Sequence, residues 1–274
     1  MASSSPIGRQ QRLPALDGLR GVLALVVVLW HATSPIGLTL FAYPAKFAVF
    51  GFFVISGLVL TRSWEGRPGV FLLSRVVRLW PTYALCLAVG YLIAKQPVDW
   101  RQFLWFPLMT PDAEPHIDPP VWSLIVEAWA MPLMPLIVFA GTGPLWRAWI
   151  ACVAAFGAYR MTADPAWQQL WLSLAYFVGG AYCARFTLRA AWLEAAPAQW
   201  LGKISYSLYL SHWLVFALAR AALGPIGGLL ALPLSLPVGW LVWAAIERPS
   251  VAASRRVKAW LSQLPQTALA EAAR

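Results

Sequence analysis

The chain has 274 residues, of which 60% are apolar and 12% are charged, with a mean hydropathy of +0.63 and 17 tryptophans. Soluble proteins carry about 25% charged residues, so this composition excludes an ordinary soluble domain and predicts a protein that crosses a membrane several times. The net charge of +10 would suit nucleic acid, but the positions of the cations are explained by membrane topology, and no nucleic-acid partner is expected.

The first residues imitate a secretion signal. Arg9 and Arg12 precede an apolar run, as the basic start of a signal peptide does. Asp17 and Arg20 interrupt that run, and many further apolar segments follow it. We therefore expect an uncleaved first membrane span.

Eight segments are long and apolar enough to cross a bilayer, for which a helix needs about 17–25 mostly apolar residues. They lie near residues 21–40, 45–61, 79–95, 121–140, 144–160, 167–184, 204–223 and 227–246. The sequence therefore predicts an all-α fold, a polytopic transmembrane helix bundle of eight spans. Its predicted parts are a cytoplasmic N-terminal segment at 1–15, a transmembrane domain at 16–249 and a cytoplasmic tail at 250–274.

The cations predict how this bundle is oriented. Sixteen of the 21 Lys and Arg residues fall on one side of an eight-span chain. The five on the other side are Lys46, Lys95, Arg101, Arg160 and Arg220. Because cytoplasmic loops carry the excess of cations, both termini are predicted to lie in the cytoplasm, and the lipid bilayer is an expected partner.

The longest outer connection runs from Lys95 to Pro120 and is rich in proline, acidic and aromatic residues. A short interfacial or re-entrant piece is predicted at Phe103–Met109. This piece could cap a site, although its aromatic side chains also suit an interfacial belt. His116, in the same loop, is expected to be solvated.

The segment Leu16–His31 carries an Asp, an Arg and a His in an otherwise apolar stretch. Arg20 and His31 are eleven residues apart, so a helix places them on nearly the same face, about 16 Å apart along its axis. Such groups are costly in lipid unless they face a protein interior or a wet cavity. The alternative is an Arg20 that snorkels to the interface and a His31 that is a satisfied bundle residue.

Three more charged residues are candidates for a site. Arg75 and Arg78 share a helix face at the inner mouth of the third span, where guanidinium groups suit phosphates, although cytoplasmic anchoring also explains them. Glu127 lies inside the fourth span, one turn from Ser123, and a carboxylate at that depth is a candidate functional group. It could neutralise a buried cation, or it could orient His31 as a general base.

Polar residues open the seventh predicted span. The hydroxyl groups of Ser205, Tyr206 and Ser207 could line a polar cavity near His212, but the serines are expected to bond back to helix carbonyls.

The remaining polar features predict little chemistry. Glu247 and its neighbour Arg248 are expected to be interfacial charges, and Pro249 is expected to end the last span. The three cysteines have no paired spacing, so neither a disulfide nor a zinc site is predicted, and no other metal site is expected.

Taken together, these motifs resemble the membrane-bound acyltransferase family 3, whose members O-acylate sugars and cell-envelope polymers. The matching pieces are LDGLRG with the Arg20-x10-His31 spacing, FFVISGLVL at Phe52–Leu60, RVVRLWP at Arg75–Pro81, WSLIVE at Trp122–Glu127, LGKISYSLYLSH at Leu201–His212 and ERP at Glu247–Pro249. The resemblance runs from Leu13 to Pro249. Family members usually have more spans than the eight counted here, and the shortfall lies between Glu127 and Leu201, which leaves the acceptor least defined.

The resemblance implies an O-acyltransferase that takes an acyl group, in the first place acetyl, from cytoplasmic acetyl-CoA or another acyl-CoA. The acceptor that it implies is a hydroxyl of a carbohydrate or cell-envelope polymer. No tightly bound cofactor is implied, because acyl-CoA is a substrate.

The resemblance also assigns roles. Arg20 and His31 match the family's Arg-x10-His signature, Arg75 and Arg78 its RxxR pair, and Glu127 the acid of its WSLxxE stretch. In this hypothesis His31 deprotonates the acceptor hydroxyl or transiently carries the acyl group. The expected catalytic residues are His31, Glu127 and Asp17. The expected acyl-CoA-binding residues are Arg20, Arg75 and Arg78. The candidate cavity-lining residues are Ser123, Tyr206 and His212.

Two other classes of protein are compatible with these residues, a transporter that uses them as a proton relay and a scaffold that retains them for folding. One is a proton-coupled transporter of a small anionic or acylated solute, although neither an internal repeat nor a broken helix, both common in transporters, is evident in the sequence. The other is a non-catalytic scaffold of a polysaccharide-export complex. Acyl-CoA binding would distinguish the enzyme from both.

Overall fold

The computed structural model describes residues 13–104 and 117–263, and the regular elements in these two ranges are helical. The α-helices are α1 (Pro14–Thr33), α2 (Ala42–Ser63), α3 (Pro68–Ala94), α4 (Trp100–Leu104), α5 (Trp122–Ala130), α6 (Met134–Thr142), α7 (Leu145–Met161), α8 (Pro165–Cys183), α9 (Ala191–Glu194), α10 (Ala196–Leu223), α11 (Gly227–Leu230), α12 (Leu232–Val242) and α13 (Arg248–Gln263). The predicted all-α bundle is confirmed.

Four stretches in the described ranges are long and apolar enough to cross a membrane on their own. They are Pro14–Ile36, Ala42–Ser63, Pro68–Ala94 and Ala196–Leu230. A fifth candidate consists of Pro119–Ala130 and Met134–Thr142, which are bent by 78° relative to each other. Pro132 and Pro135 explain this break, because neither can donate a helical hydrogen bond. The chain is therefore a multi-pass membrane protein, but the predicted count of eight spans is not confirmed.

Two helix crossings hold the bundle together through glycine. α1 meets α10 where a Cβ added at Gly21 would overlap the backbone of Leu201 and Gly202. α2 meets α8 where a Cβ at Gly57 would overlap the Phe177 carbonyl. In membranes, helices associate through such close contacts because lipid is as apolar as the helix surface.

One end of the bundle collects basic loops, and we call it the basic end. Arg62, at the end of α2, donates to the carbonyl oxygen of Ala184 at 2.8 Å. Arg185 donates to that of Gly141, also at 2.8 Å. The Gln199 side chain donates to that of Pro14 at 2.6 Å. The start of α1 therefore lies at the same end as the connections after α2, α6 and α8.

The predicted helix end at Pro249 is wrong, because α13 continues from Arg248 to Gln263. A π-helical segment, Trp243–Glu247, joins α12 to α13. Pro249 gives the reason, since its missing N–H and its ring disturb the preceding turn, and a widened turn accommodates them. α13 packs on α3, where Ser254 Oγ donates to the Ser74 carbonyl oxygen at 2.6 Å. In the outer connection, the predicted piece after Leu104 and His116 lie outside the described residues.

Candidate functional site

Three arginines lie together near the basic end, and we call them the guanidinium cluster: Arg20 of α1 with Arg75 and Arg78 of α3. Arg78 lies within electrostatic reach of both of the other two guanidinium groups. The helical spacing of Arg75 and Arg78 puts them on one face. The Arg20 side chain keeps 24% of its surface exposed and that of Arg75 keeps 15%, so neither side chain is fully buried.

Three carboxylates lie close to these three cations. Arg75 Nη2 lies 3.0 Å from Glu127 Oε1 in an ion pair, whereas the Arg75 Nε is buried and has no hydrogen-bond partner in the structure. Asp17 lies 3.6 Å from Arg20 at the more exposed rim. Arg20 and Arg78 are also both within electrostatic reach of Glu247. Three guanidinium groups therefore face two inner carboxylates and one at the rim, so these six formal charges balance. What the site offers an anion is guanidinium N–H donors, such as the Arg75 Nε that has no partner among the described residues.

Glu247 reaches this cluster through the π-helical segment. It is buried, with 6% of its surface exposed. Its Oε2 accepts hydrogen bonds from Ser207 Oγ at 2.6 Å and from Ser207 N at 3.2 Å. The expectation of an interfacial Glu247 is therefore wrong. Of the two serines, Ser205 bonds back to the Gly202 carbonyl oxygen as expected, but Ser207 does not.

A pair of histidines lies at the opposite part of α1. His31 Nδ1 and His212 Nε2 of α10 are 2.9 Å apart, and the two ring planes are nearly parallel, 21° apart, with centroids 5.1 Å apart. His212 is completely buried, while His31 is half-buried. His212, which is expected from the sequence to line a cavity, thus contacts His31, the predicted catalytic residue.

Arg220 of α10 closes the side of this pair. Its guanidinium donates to the His31 carbonyl oxygen at 3.5 Å and lies 4.6 Å above the ring of Trp213. Trp213 in turn meets His31 edge to face. These contacts fix the backbone and one edge of His31.

Ser123 and Tyr209 form a separate buried network. Their hydroxyl oxygens are 2.9 Å apart, and they lie 3.2 Å and 2.9 Å from the Pro120 carbonyl oxygen respectively. Since each hydroxyl has a single hydrogen, one of them donates to the other, and the other donates to that carbonyl. Ser123 therefore holds the start of α5, and the structure does not support its predicted role in lining a cavity. Tyr206, also predicted to line a cavity, donates to the Leu79 carbonyl oxygen at 2.9 Å and lies within electrostatic reach of Arg78.

The structure separates residues that the sequence hypothesis grouped together. Among the described residues, His31 pairs with His212 and Glu127 pairs with Arg75, so the hypothesised His31–Glu127 pair is not formed. Asp17 is fourteen residues before His31 in α1, about 21 Å along the axis. Both proposed helpers therefore belong to the guanidinium cluster.

Two residues that sequence reasoning did not assign to a site complete these groups. Only a π-helical turn aims Glu247 inwards, and the regular helical period does not predict that turn. Arg220 is one of the five outer-side cations in the predicted topology. Nothing in its position in the sequence indicates its contact with α1, and its guanidinium also donates to the Phe216 carbonyl oxygen one turn earlier.

One of the described grooves is apolar and does not suit a charged ligand. This groove of about 510 Å³ lies between α3, α10 and α12. Its lining includes Cys86 and Ser211 and no charged residue. Within residues 13–104 and 117–263, no group of three or more His, Cys, Asp or Glu side chains is arranged to hold a metal ion.

The fold and these groups define a multi-pass membrane helix bundle with ionisable residues held inside it. The sequence model of the family described as "Acyltransferase domain" matches residues 13–194, about two thirds of the chain. The chain therefore belongs to the membrane-bound acyltransferase family 3. The matched part contains the guanidinium cluster, His31 and Glu127, and it ends before His212 and Glu247.

A curated relative is similar over a shorter stretch. It is "Protein 2 in picA locus" of Rhizobium radiobacter, 41% identical over 98 residues, which are 32% of this chain and 47% of the relative. The chain thus matches about half the length of that protein. No solved structure matches the chain.

Proposed function

We propose that the protein moves an acyl group from acyl-CoA to a hydroxyl group of a carbohydrate or cell-envelope polymer. One observation carries the proposal: α1 bears a cation of the guanidinium cluster at Arg20 and a histidine at His31, about 16 Å apart along one helix. A CoA thioester needs two such places, because a long flexible arm separates its phosphates from its reactive carbonyl.

The guanidinium cluster supplies the first place. Guanidinium groups bind phosphate oxygens in a fixed, often bidentate geometry. The cluster lies near the basic end, and cations accumulate on the cytoplasmic side of membrane proteins. We therefore propose that this end faces the cytoplasm of a bacterium, where acyl-CoA is available, and that the bundle crosses the inner membrane.

His31 supplies the second place. Its imidazole takes the proton from the acceptor hydroxyl as the oxygen forms a bond to the thioester carbonyl carbon. The carbon–sulfur bond then breaks, and the departing thiolate takes the proton from the imidazolium. The products are the O-acyl ester and free CoA, with acetyl the first acyl group to test.

The test uses the purified full chain in detergent with acetyl-CoA. Arg75→Ala/Arg78→Ala is expected to weaken acetyl-CoA binding about 10- to 100-fold, because charge-assisted hydrogen bonds to phosphate are lost. His31→Ala is expected to retain binding and to lose about 10²- to 10⁴-fold in acyl transfer and in acetyl-CoA hydrolysis. Arg189→Ala is the matched control, since Arg189 is an exposed arginine near the same end. Full turnover by His31→Ala, or absence of binding by the wild type, would overturn the proposal.

The transporter alternative has one structural observation in its favour. The 78° break between α5 and α6 is the kind of interrupted helix that transporters use at their binding sites. Flux of a small anion into proteoliposomes, together with absence of acyl-CoA binding, would favour this function.

A further inference from the structure

The histidine pair continues into a third group. His212 Nδ1 lies 3.0 Å from the carbonyl oxygen of Leu208, one turn earlier in α10. The chain of contacts therefore runs from the Leu208 carbonyl through both nitrogens of His212 to His31 Nδ1. Among the described residues, His31 Nε2 has no hydrogen-bond partner.

Hydrogen-bond chemistry fixes the direction of this chain. A carbonyl oxygen only accepts, so His212 Nδ1 must carry the hydrogen that it shares with Leu208. A neutral imidazole has one donor and one acceptor, so His212 Nε2 is the acceptor. His31 Nδ1 is then the donor, and this holds whether His31 itself is neutral or protonated.

We infer that His212 is the positioning residue that holds His31 in the Nδ1–H tautomer, so that its Nε2 lone pair is available to the acceptor hydroxyl. The catalytic part of this inference rests on the proposed function, whereas the tautomer does not. The arrangement performs the task of the carboxylate in hydrolase triads, which fixes the tautomer and orientation of a catalytic histidine.

His212 is suited to this task by its surroundings. It is completely buried, and its ring packs edge to face on Phe216 with centroids 5.7 Å apart. The ring is thus held on one side by packing and on the other by the Leu208 carbonyl. When His31 Nε2 takes the hydroxyl proton, its Nδ1–H bond to His212 becomes charge-assisted and therefore stronger. The same proton later leaves Nε2 for the CoA thiolate, and His212 keeps its own hydrogen throughout.

The tautomer can be measured without any assay of activity. The chain has three histidines, so ring-¹⁵N labelling gives a small set of NMR signals that His116→Gln and His31→Ala would assign. Wild-type His31 is expected to show the Nδ1–H form. His212→Leu, which removes the acceptor, should return His31 to the Nε2–H form, whereas His212→Gln keeps an acceptor and should preserve the Nδ1–H form. An Nε2–H form of His31 in the wild type would overturn the inference.

Kinetics test the consequence for catalysis. His212→Leu is expected to lower kcat about 10²- to 10⁴-fold, with KM for acetyl-CoA changed by about twofold or less, because the wrong tautomer affects proton transfer and not phosphate binding. His212→Gln should restore most of kcat. Ser211→Ala is the matched control, since the neighbouring Ser211 Oγ has no hydrogen-bond partner in the structure. Normal kcat for His212→Leu would contradict the catalytic role. A wild type without transferase activity would instead contradict the proposed function and leave the NMR result intact.

Discussion

Glu127 is held by a cation, and that contact decides which kinetic constant it should affect. Its carboxylate lies 3.0 Å from Arg75, and His31 has another partner. In Glu127→Gln the amide oxygen can still accept from Arg75, but one negative charge beside the guanidinium cluster is lost. We expect KM for acetyl-CoA to fall about 2- to 10-fold at low salt, with kcat unchanged within about twofold.

Steady-state kinetics at two salt concentrations check this expectation. Glu65→Gln is the control, because Glu65 is an exposed carboxylate paired with Lys258 near the basic end and should change neither constant. A large fall in kcat at constant KM would instead restore Glu127 as a helper of His31.

Asp118 presents the opposite situation, a carboxyl group without a partner among the described residues. It is 1% exposed, and neither of its side-chain oxygens has a hydrogen bond within residues 13–104 and 117–263. Burial raises the pKa of the Asp118 carboxyl well above its ordinary value. Above about pH 4 the unfolded state loses this proton, whereas the folded state keeps it until the pH reaches the raised pKa. The free energy of unfolding therefore falls as pH rises from about 4 to the pKa of the folded state.

Asp118→Asn should remove this dependence. We expect a higher melting temperature at pH 8, by about 2–4 °C for each kcal/mol recovered, and little difference near pH 4. Thermal unfolding in detergent across this pH range measures both. Asp164→Asn is the control, since Asp164 caps α8 and asparagine caps equally well. An unchanged pH slope in Asp118→Asn would show that the carboxyl group is solvated or paired.

At the scale of helices, the close crossing of α2 and α8 requires a glycine at position 57. An added Cβ there would overlap the Phe177 carbonyl, and one added at Gly180 would overlap the Val54 carbonyl. Gly57→Ala should therefore force the helices apart and cost about 1–3 kcal/mol. Gly157→Ala in α7 meets no atom within 4 Å and should stabilise by about 0.5–1 kcal/mol through helix propensity. Melting temperatures of the two variants should move in opposite directions, and equal shifts would contradict the close crossing.

Local spacing predicts part of the site well. Arg20 and His31 share a helix, and Arg75 and Arg78 share another, so the helical period alone relates the members of each pair. The pairing of α1 with α10 is different, because it depends on contacts between residues nearly two hundred positions apart. His212 could be recognised as a polar residue in an apolar span, but nothing in its spacing indicates that it faces His31.

Departures from the regular helical period explain most of the other differences between the predicted and the observed structure. The π-helical segment Trp243–Glu247 adds a residue to one turn, which rotates Glu247 towards Ser207. The break between α5 and α6 separates two short helices that a hydropathy window joins into one span. Proline marks both places in the sequence, but it indicates only that the helix changes there and not which direction the chain takes.

For the whole molecule, contacts at the basic end bear on the number of spans. Arg185 holds the connection after α8 against the one before α7, so α7 leaves the basic end and α8 returns to it. α7 has 17 residues and α8 has 19, which are about 26 Å and 28 Å of helix. Those lengths approach the thickness of the hydrocarbon core, although neither helix is among the four that meet the length and hydropathy criteria.

The orientation that the cations predict can be tested on the same helices with reporters. If α7 and α8 both cross the membrane, residue 143 lies on the cytoplasmic side, residue 163 on the outer side and residue 187 on the cytoplasmic side again. Cysteine residues introduced at these positions in a cysteine-free variant should react with a membrane-impermeant maleimide in intact cells only at position 163. A cysteine at position 66, between α2 and α3, is the cytoplasmic control, and one at position 97, after α3, is the outer control.

Protection of position 163 while position 97 reacts would mean that the α7–α8 hairpin does not cross. The bundle would then have two spans fewer than the eight that the sequence predicts. Since two spans leave the parity unchanged, both termini would still lie on the same side of the membrane, and the side proposed for the guanidinium cluster would not change.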